Sequence, residues 1–166
     1  MKRYPLTNIL LFIFLMSCSN SNQHNIKQDE RIKIIDSLNT TLNKDTVEMN
    51  LKAHLLYVNK EYLEASQEYS ELIKIDSLNG KYHYRKGYCL AQLSSYNEAI
   101  IYYQQASILN YDKFECFKSI GIIYYFMIND NKRAEEYFSK CLEIKPKDKE
   151  VEKYMAELTN NENLNL

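Results

Sequence analysis

Ala53, Gly87 and Gly121 stand 34 residues apart, and the same apolar pattern returns around each of them. A fixed period of this length constrains the fold more than any compositional figure does. Each period is one supersecondary unit that cannot bury its own apolar face. Neighbouring units must therefore stack, and such a stack offers a binding surface rather than a catalytic pocket. Within each period the apolar spacing is helical. It predicts helix pairs over Thr46–Asn59 and Tyr62–Ile75, Lys81–Leu93 and Tyr96–Leu109, and Phe114–Ile128 and Lys132–Ile144. Three glycines and two prolines in 166 residues leave too little turn punctuation for a β-sandwich. The third period is one residue longer between Gly121 and Ala134 than the second is between Gly87 and Ala99. The extra residue is expected in the loop from Ile128 to Arg133, because loops tolerate insertions.

The flanks read differently. Lys2 and Arg3 precede an apolar run, Ile9 to Met16, which is far shorter than the ~20 residues a membrane-spanning helix needs. Residues 1–17 therefore read as an export signal and not as structure. Residues 18–28 are polar and read as a tether. Over 29–45, Ile32, Ile35 and Leu38 form a short helical stripe, a leading helix or half of a degenerate repeat, until Thr40, Thr41 and Asn43 break it. At the other end Val151, Tyr154, Met155 and Leu158 mark a capping helix over 149–158, and the Asn-rich tail over 159–166 is expected to fray.

The segment Leu15-Met16-Ser17-Cys18 resembles the bacterial lipoprotein signal. The resemblance implies that Cys18 becomes the first residue of the mature chain and carries lipid, against the alternative of an ordinary secreted protein with a chance cysteine. One acyl chain holds a protein weakly and two or more hold it firmly. By the same resemblance, Ser19 in place of Asp favours the outer membrane over the inner one.

The three periods resemble the tetratricopeptide repeat, a 34-residue antiparallel helix pair, over residues 46–148. The first repeat (46–79) carries Ala53, Leu56, Tyr62, Ala65, Tyr69 and Leu72. The second (80–113) carries Gly87, Leu90, Tyr96, Ala99, Tyr103 and Ala106. The third (114–148) carries Phe117, Gly121, Tyr124, Ala134, Phe138, Cys141 and Pro146. The resemblance implies an all-α solenoid of about three repeats plus a capping helix. Small residues should admit close helix approach, and Tyr69, Tyr103 and Phe138 should fill the gaps between helices. It also implies that the first helix of each pair lines a concave groove. The groove positions fall on Asn50, His54 and Tyr57, on Tyr84, Arg85, Tyr88 and Ala91, and on Lys118, Ile122 and Tyr125. Tyrosine offers a large contact area and a hydroxyl, so this row reads as a peptide groove, although in a chain with 15 tyrosines some rings simply pack on one another. One mode of the family grips a C-terminal carboxylate with Lys, Asn and Arg. Arg85 and Lys118 are basic, but His54 and Tyr88 stand where that mode prefers Asn.

Other chemistries find no support. The net charge is −1 and no basic run follows a phosphate backbone, which excludes a nucleic-acid binder. His24, His54 and His83 lack paired metal spacing, and Cys89, Cys116 and Cys141 never form CxxC. Cys141 reads as a buried thiol, and a Cys89–Cys116 disulfide is disfavoured by position. Ser94 and Ser95 read as a helix cap, and Glu135, Glu136, Asp148 and Glu150 as solvated faces. The expectation is therefore a non-enzymatic, cofactor-free adaptor, lipid-anchored in the bacterial envelope. It would bind a protein or peptide as a monomer or weak dimer. The alternatives are a structural subunit of an envelope assembly or secretion complex that docks through its convex face or ends, and a regulator of an envelope enzyme.

Overall fold

A computed structural model describes residues 44–164, side chains through 160, and before them positions 33, 36, 37 and 40, all helical. The export signal over 1–17, Cys18 and the tether over 18–28 lie outside the described residues, as does most of the segment over 29–45. The chain divides at Thr46, and the unit from Thr46 onward is described by itself.

Among its described residues this unit is built of helices joined by short turns, with no strand. The helices are α1 (46–58), α2 (Tyr62–Ile75), α3 (Gly80–Gln92), α4 (Tyr96–Ile108), α5 (Lys113–Ile122), α6 (Asn131–Ile144) and α7 (Lys149–Leu164). They pack in chain order, α2 on α3, α3 on α4, α4 on α5, α5 on α6 and α6 on α7. Short connections between amphipathic helices force antiparallel neighbours, and each pair leaves a face for the next. Ala53, Ala65, Ala99, Ala106 and Ala134 are fully buried, with Tyr69, Tyr103 and Phe138 wedged between helices. The small residues are thus where backbones approach most closely. A Cβ on Gly121 would sit 2.6 Å from the Phe138 ring, and one on Gly87 3.2 Å from both the Ala99 carbonyl and the Tyr103 ring.

Helix ends repeat as regularly as helix faces. Lys60, Ser94 and Asn129 close the first helix of each pair in the left-handed conformation, at φ 66°, 62° and 60°. Asp112, Asp130 and Asp148 start the next helices, each carboxylate accepting a backbone N–H three residues on. Ser95 opens α4 without a side-chain cap, contrary to the expectation from sequence, and Ser94 instead supplies the left-handed turn. Pro146 follows Lys145, the residue that ends α6. α7 runs to Leu164, beyond the expected end at residue 158, with the Thr159 hydroxyl bonded to the Met155 carbonyl.

The extra residue of the third repeat is not in the loop. After α5 the backbone continues as a π-helix, Ile123–Ile128. The closing hydrogen bonds locate the insertion. Glu61 N donates to Leu56 O and Ser95 N to Leu90 O, each spanning five residues, whereas Asp130 N reaches back six to Tyr124 O. Leu56, Leu90 and Tyr124 each stand three residues after their small anchor, so the added residue lies between Tyr124 and Asp130. A π turn takes in one more residue than an α turn, which keeps both the anchor and the following loop in register.

Candidate functional site

The first helices of the pairs, α1, α3 and α5, together with α7, touch in succession along one face. Tyr57 of α1 lies 5.2 Å, centroid to centroid, from Tyr88 of α3, and the Arg85 guanidinium sits 5.7 Å over the Tyr57 ring. Burial raises the pKa of the Tyr84 hydroxyl on α3, and the nearby Ser119 side chain of α5 acts against that rise. Lys118 of α5 pairs with Glu150 of α7 at 3.3 Å, and the Tyr125 hydroxyl donates to Glu157 of α7 at 3.4 Å. Every position assigned to the groove is half-buried.

They are not equivalent. Tyr84 belongs mainly to the scaffold, because it packs on Tyr103 and Tyr111 at 5.2 and 5.3 Å and burial raises its hydroxyl pKa. Ile122 packs against the main core. Lys118 is held by Glu115 at 3.2 Å and Glu150. Burial alone would lower the Lys118 pKa, but these two carboxylates outweigh it and raise it. Tyr125 is enclosed by Phe126, Phe138 and Tyr154.

The α1–α3 seam is different in kind. Arg85 Nη1 donates to the Tyr69 hydroxyl at 3.0 Å, and the guanidinium also lies 5.9 Å from the Tyr69 ring. No carboxylate pairs with it among the described residues, nor with Lys81 one turn earlier. His54 stacks on Tyr57 at 6.3 Å. Burial, then Arg85 and Lys81, hold its pKa below the ordinary histidine value. Burial pushes the Tyr57 hydroxyl up to about 12. The Asn50 Oδ1 and His54 Nδ1 atoms are buried with no hydrogen-bond partner among the described residues. Orphaned polar atoms on a half-open face are costly unless something completes them.

Periodic helix pairs, small residues at the crossings and a shared inner face decide the fold. It is the tetratricopeptide-repeat (TPR) solenoid. The profile for the tetratricopeptide repeat matches residues 80–110 and 120–148. Among solved structures, the chain resembles the Arabidopsis OM64 TPR domain at TM-score 0.62 and 19% identity, covering 70% of this chain and 95% of that one. It resembles the first TPR of Spaghetti (RPAP3), bound there to an HSP90 peptide, at 0.63 and 16%, covering 70% and 91%. It also resembles Pseudomonas aeruginosa pilF at 0.60 and 25%, covering 67% of this chain and half of that protein. No curated protein matches the chain by sequence.

Two features of the TPR face went unread in the sequence. α7 contributes Glu150, Tyr154 and Glu157, spaced four and three apart, so the capping helix is also a wall. Their spacing was legible, and Glu150, read as part of a solvated face, is indeed exposed while it also reaches Lys118 and Tyr154. Asp148 likewise caps α7 instead of facing solvent. Tyr62, read only as a repeat residue, packs on Tyr88 at 6.0 Å and braces it. Away from this face, Cys89, Cys116 and Cys141 are buried free thiols. Burial pushes them up to about 11, 12 and 12, so they remain protonated and unreactive near neutral pH. His83 is buried, with Nε2 on the Ser77 carbonyl at 3.0 Å. Among the described residues no cluster of His, Cys, Asp or Glu is arranged to hold a metal ion, and no helix is long and apolar enough to cross a membrane.

Proposed function

We infer that the protein is a TPR adaptor, lipid-anchored through Cys18 in the bacterial cell envelope and more specifically the outer membrane. It works as a monomer or weak dimer that holds a peptide segment of a partner protein on the face built by α1, α3, α5 and α7. The observation that carries this reading is the α1–α3 seam, where half-buried tyrosines surround an arginine that has no carboxylate partner among the described residues, beside the orphaned Asn50 and His54 atoms. Such a surface has hydrogen-bonding capacity that the fold does not use. TPR folds at low identity that hold peptides, as in the HSP90-peptide complex, support the mode and not the ligand.

Two measurements test it. The double variant Asn50→Ala, His54→Ala removes polar atoms that have no partner, so its melting temperature should stay level or rise while crosslinked partner is lost. Retention of the partner would move the interface elsewhere. The variant Cys18→Ala should leave the membrane fraction on cell fractionation, and unchanged membrane retention would overturn the anchor. The reading of a structural subunit has its own support in α1, where Val47, Leu51, Leu55 and Val58 are each more than half exposed. A partner that survives the groove variant and is lost on Leu51→Ser, Leu55→Ser would favour it.

A further inference from the structure

The first repeat differs from the other two on the side where a preceding pair would pack. At the positions matching Leu55, the second repeat has Cys89 and the third has Ile123. Cys89 shares a buried cluster with Ala65, Tyr69 and Leu72 of α2, and Ile123 one with Ala99, Ile100 and Tyr103 of α4. The second helix of the preceding pair therefore covers this face, leaving Cys89 0% and Ile123 4% exposed. On α1 the same face is open, with Leu51 57% and Leu55 54% exposed. Val47 and Val58 continue it at 63% and 58%, so four large apolar side chains form one stripe about 16 Å long. A contiguous apolar patch of this kind marks a contact surface.

We propose that this stripe binds a second copy of the chain, with the two α1 helices antiparallel across a twofold axis. Three observations choose this occupant. First, the stripe reads nearly the same in both directions, with steps of four, four and three residues. A twofold mate sets Val47 against Val58 of the second copy and Leu51 against Leu55 of the second copy, and ridges stepped by four residues interdigitate with their own kind. Second, charge follows the same symmetry. Glu48 lies near the start of α1 and Lys60 just past its end, and neither has an ion-pair partner among the described residues. Antiparallel pairing brings Glu48 of each copy toward Lys60 of the other, whereas parallel pairing would set like charges together. It is also the direction in which α2 meets α3 and α4 meets α5. Third, the far end of the stack offers no apolar counterpart. α7 exposes Glu152, Lys153, Ala156 and Thr159, so head-to-tail growth has nothing to join and the stripe pairs with itself. The four side chains supply on the order of 400 Å² per copy, about half of the ~800 Å² that a partner gives to a stable complex, so the dimer is weak. The proposal rests on the oligomeric part of the reading above and adds the surface and its symmetry.

The test is cysteine crosslinking between two differently tagged copies of the full chain, expressed together in the native host and treated with a mild oxidant. A copy carrying Val47→Cys and one carrying Val58→Cys should form a disulfide-linked dimer on non-reducing gels. Val47→Cys in both copies should not, because an antiparallel mate holds these two positions about 16 Å apart, beyond disulfide reach. Cys89, Cys116 and Cys141 are buried and stay out of the reaction. Adding Leu51→Ser, Leu55→Ser to both copies should cut the crosslinked yield about tenfold. Both leucines are exposed, so the melting temperature of the dilute full chain should hold. A crosslink of Val47→Cys with itself would overturn the antiparallel arrangement, and no crosslink between copies in any pairing would overturn the second copy as occupant. A serine variant that melts lower while no pairing crosslinks would show the stripe covered from within its own chain, and would overturn the proposal too. Capture of a different protein in place of the second copy would do the same and favour the structural-subunit reading. None of these outcomes bears on the Asn50→Ala, His54→Ala experiment, so the peptide-binding reading stands or falls separately.

Discussion

Replacing Gly121 with leucine is expected to destabilise the unit by about 3 kcal/mol, the upper end for overpacking. Gly121 lies against the Phe138 ring, and even a single added carbon would stand 2.6 Å from Cε1 and 2.7 Å from Cδ1. Phe138 has nowhere to go. It is fully buried, with its ring stacked on Tyr154 at 5.1 Å and edge-on to Tyr125 at 6.5 Å. The substitution must therefore spread α5 from α6, and the strain passes to α7 through Tyr154. For a unit of this size the loss corresponds to a fall of roughly 10 °C in melting temperature. The contact can also be relieved from its other side. Gly121→Ala combined with Phe138→Leu should lose less than the two single changes added together, because leucine withdraws the ring atoms that the new methyl meets. A melt of Gly121→Leu indistinguishable from the parent would refute the packing assignment.

The second large effect is a sharp alkaline limit to stability. Burial raises Tyr57 to about 12, Cys89 to about 11 and Cys116 and Cys141 to about 12, from ordinary values of 10.0 and 9.0. Tyr69, Tyr82, Tyr84, Tyr88, Tyr103 and Tyr154 move the same way, each chiefly through burial. These groups hold their protons more tightly in the native state than in the unfolded chain. Their contribution is complete below about pH 9, falls as the unfolded groups begin to ionise, and is spent once the folded values are passed. A tenfold difference in proton affinity between the folded and unfolded chain is worth about 1.4 kcal/mol. The fully buried Cys89, Cys116 and Cys141 all act in this direction, so the loss accumulates over several groups. The unit should therefore unfold cooperatively between about pH 9 and pH 12, with helical circular dichroism lost as tyrosinate absorbance appears. Cys116→Ala should move the midpoint upward. Full tyrosinate absorbance with helicity intact would contradict the burial assignments.

How far the fold could be read from the sequence follows from what kind of signal each feature leaves. The 34-residue period, the small residues at crossings and the aromatic residues between helices are composition at fixed spacing, and all were legible. Helix ends were legible to within a residue or two, except where the chain continues by hydrogen bonding alone, as α7 does past residue 158. The insertion between Gly121 and Ala134 could be counted but not placed. Residue number does not say whether a loop lengthens or a helix turn widens, and backbone hydrogen bonding decides that. The groove was legible as a set of positions and not as a set of roles. Tyr84 and Tyr88 lie one helical turn apart, yet one is committed to Tyr103, Tyr111 and Ser119 while the other stays on the α1 seam. Spacing along one helix cannot reveal which neighbour a ring will meet. That no carboxylate among the described residues pairs with Arg85 was equally hidden, since which carboxylates reach it depends on three-dimensional placement.

The widened turn at Ile123–Ile128 carries a consequence for anyone aligning related chains. An alignment that opens its gap in the following loop shifts the end of the widened turn, up to Ile128, by one place. On a helix one place is about 100° of rotation, enough to exchange inside for outside. Ile128 would then stand against Lys60 and Ser94 and be credited with the left-handed turn that Asn129 makes.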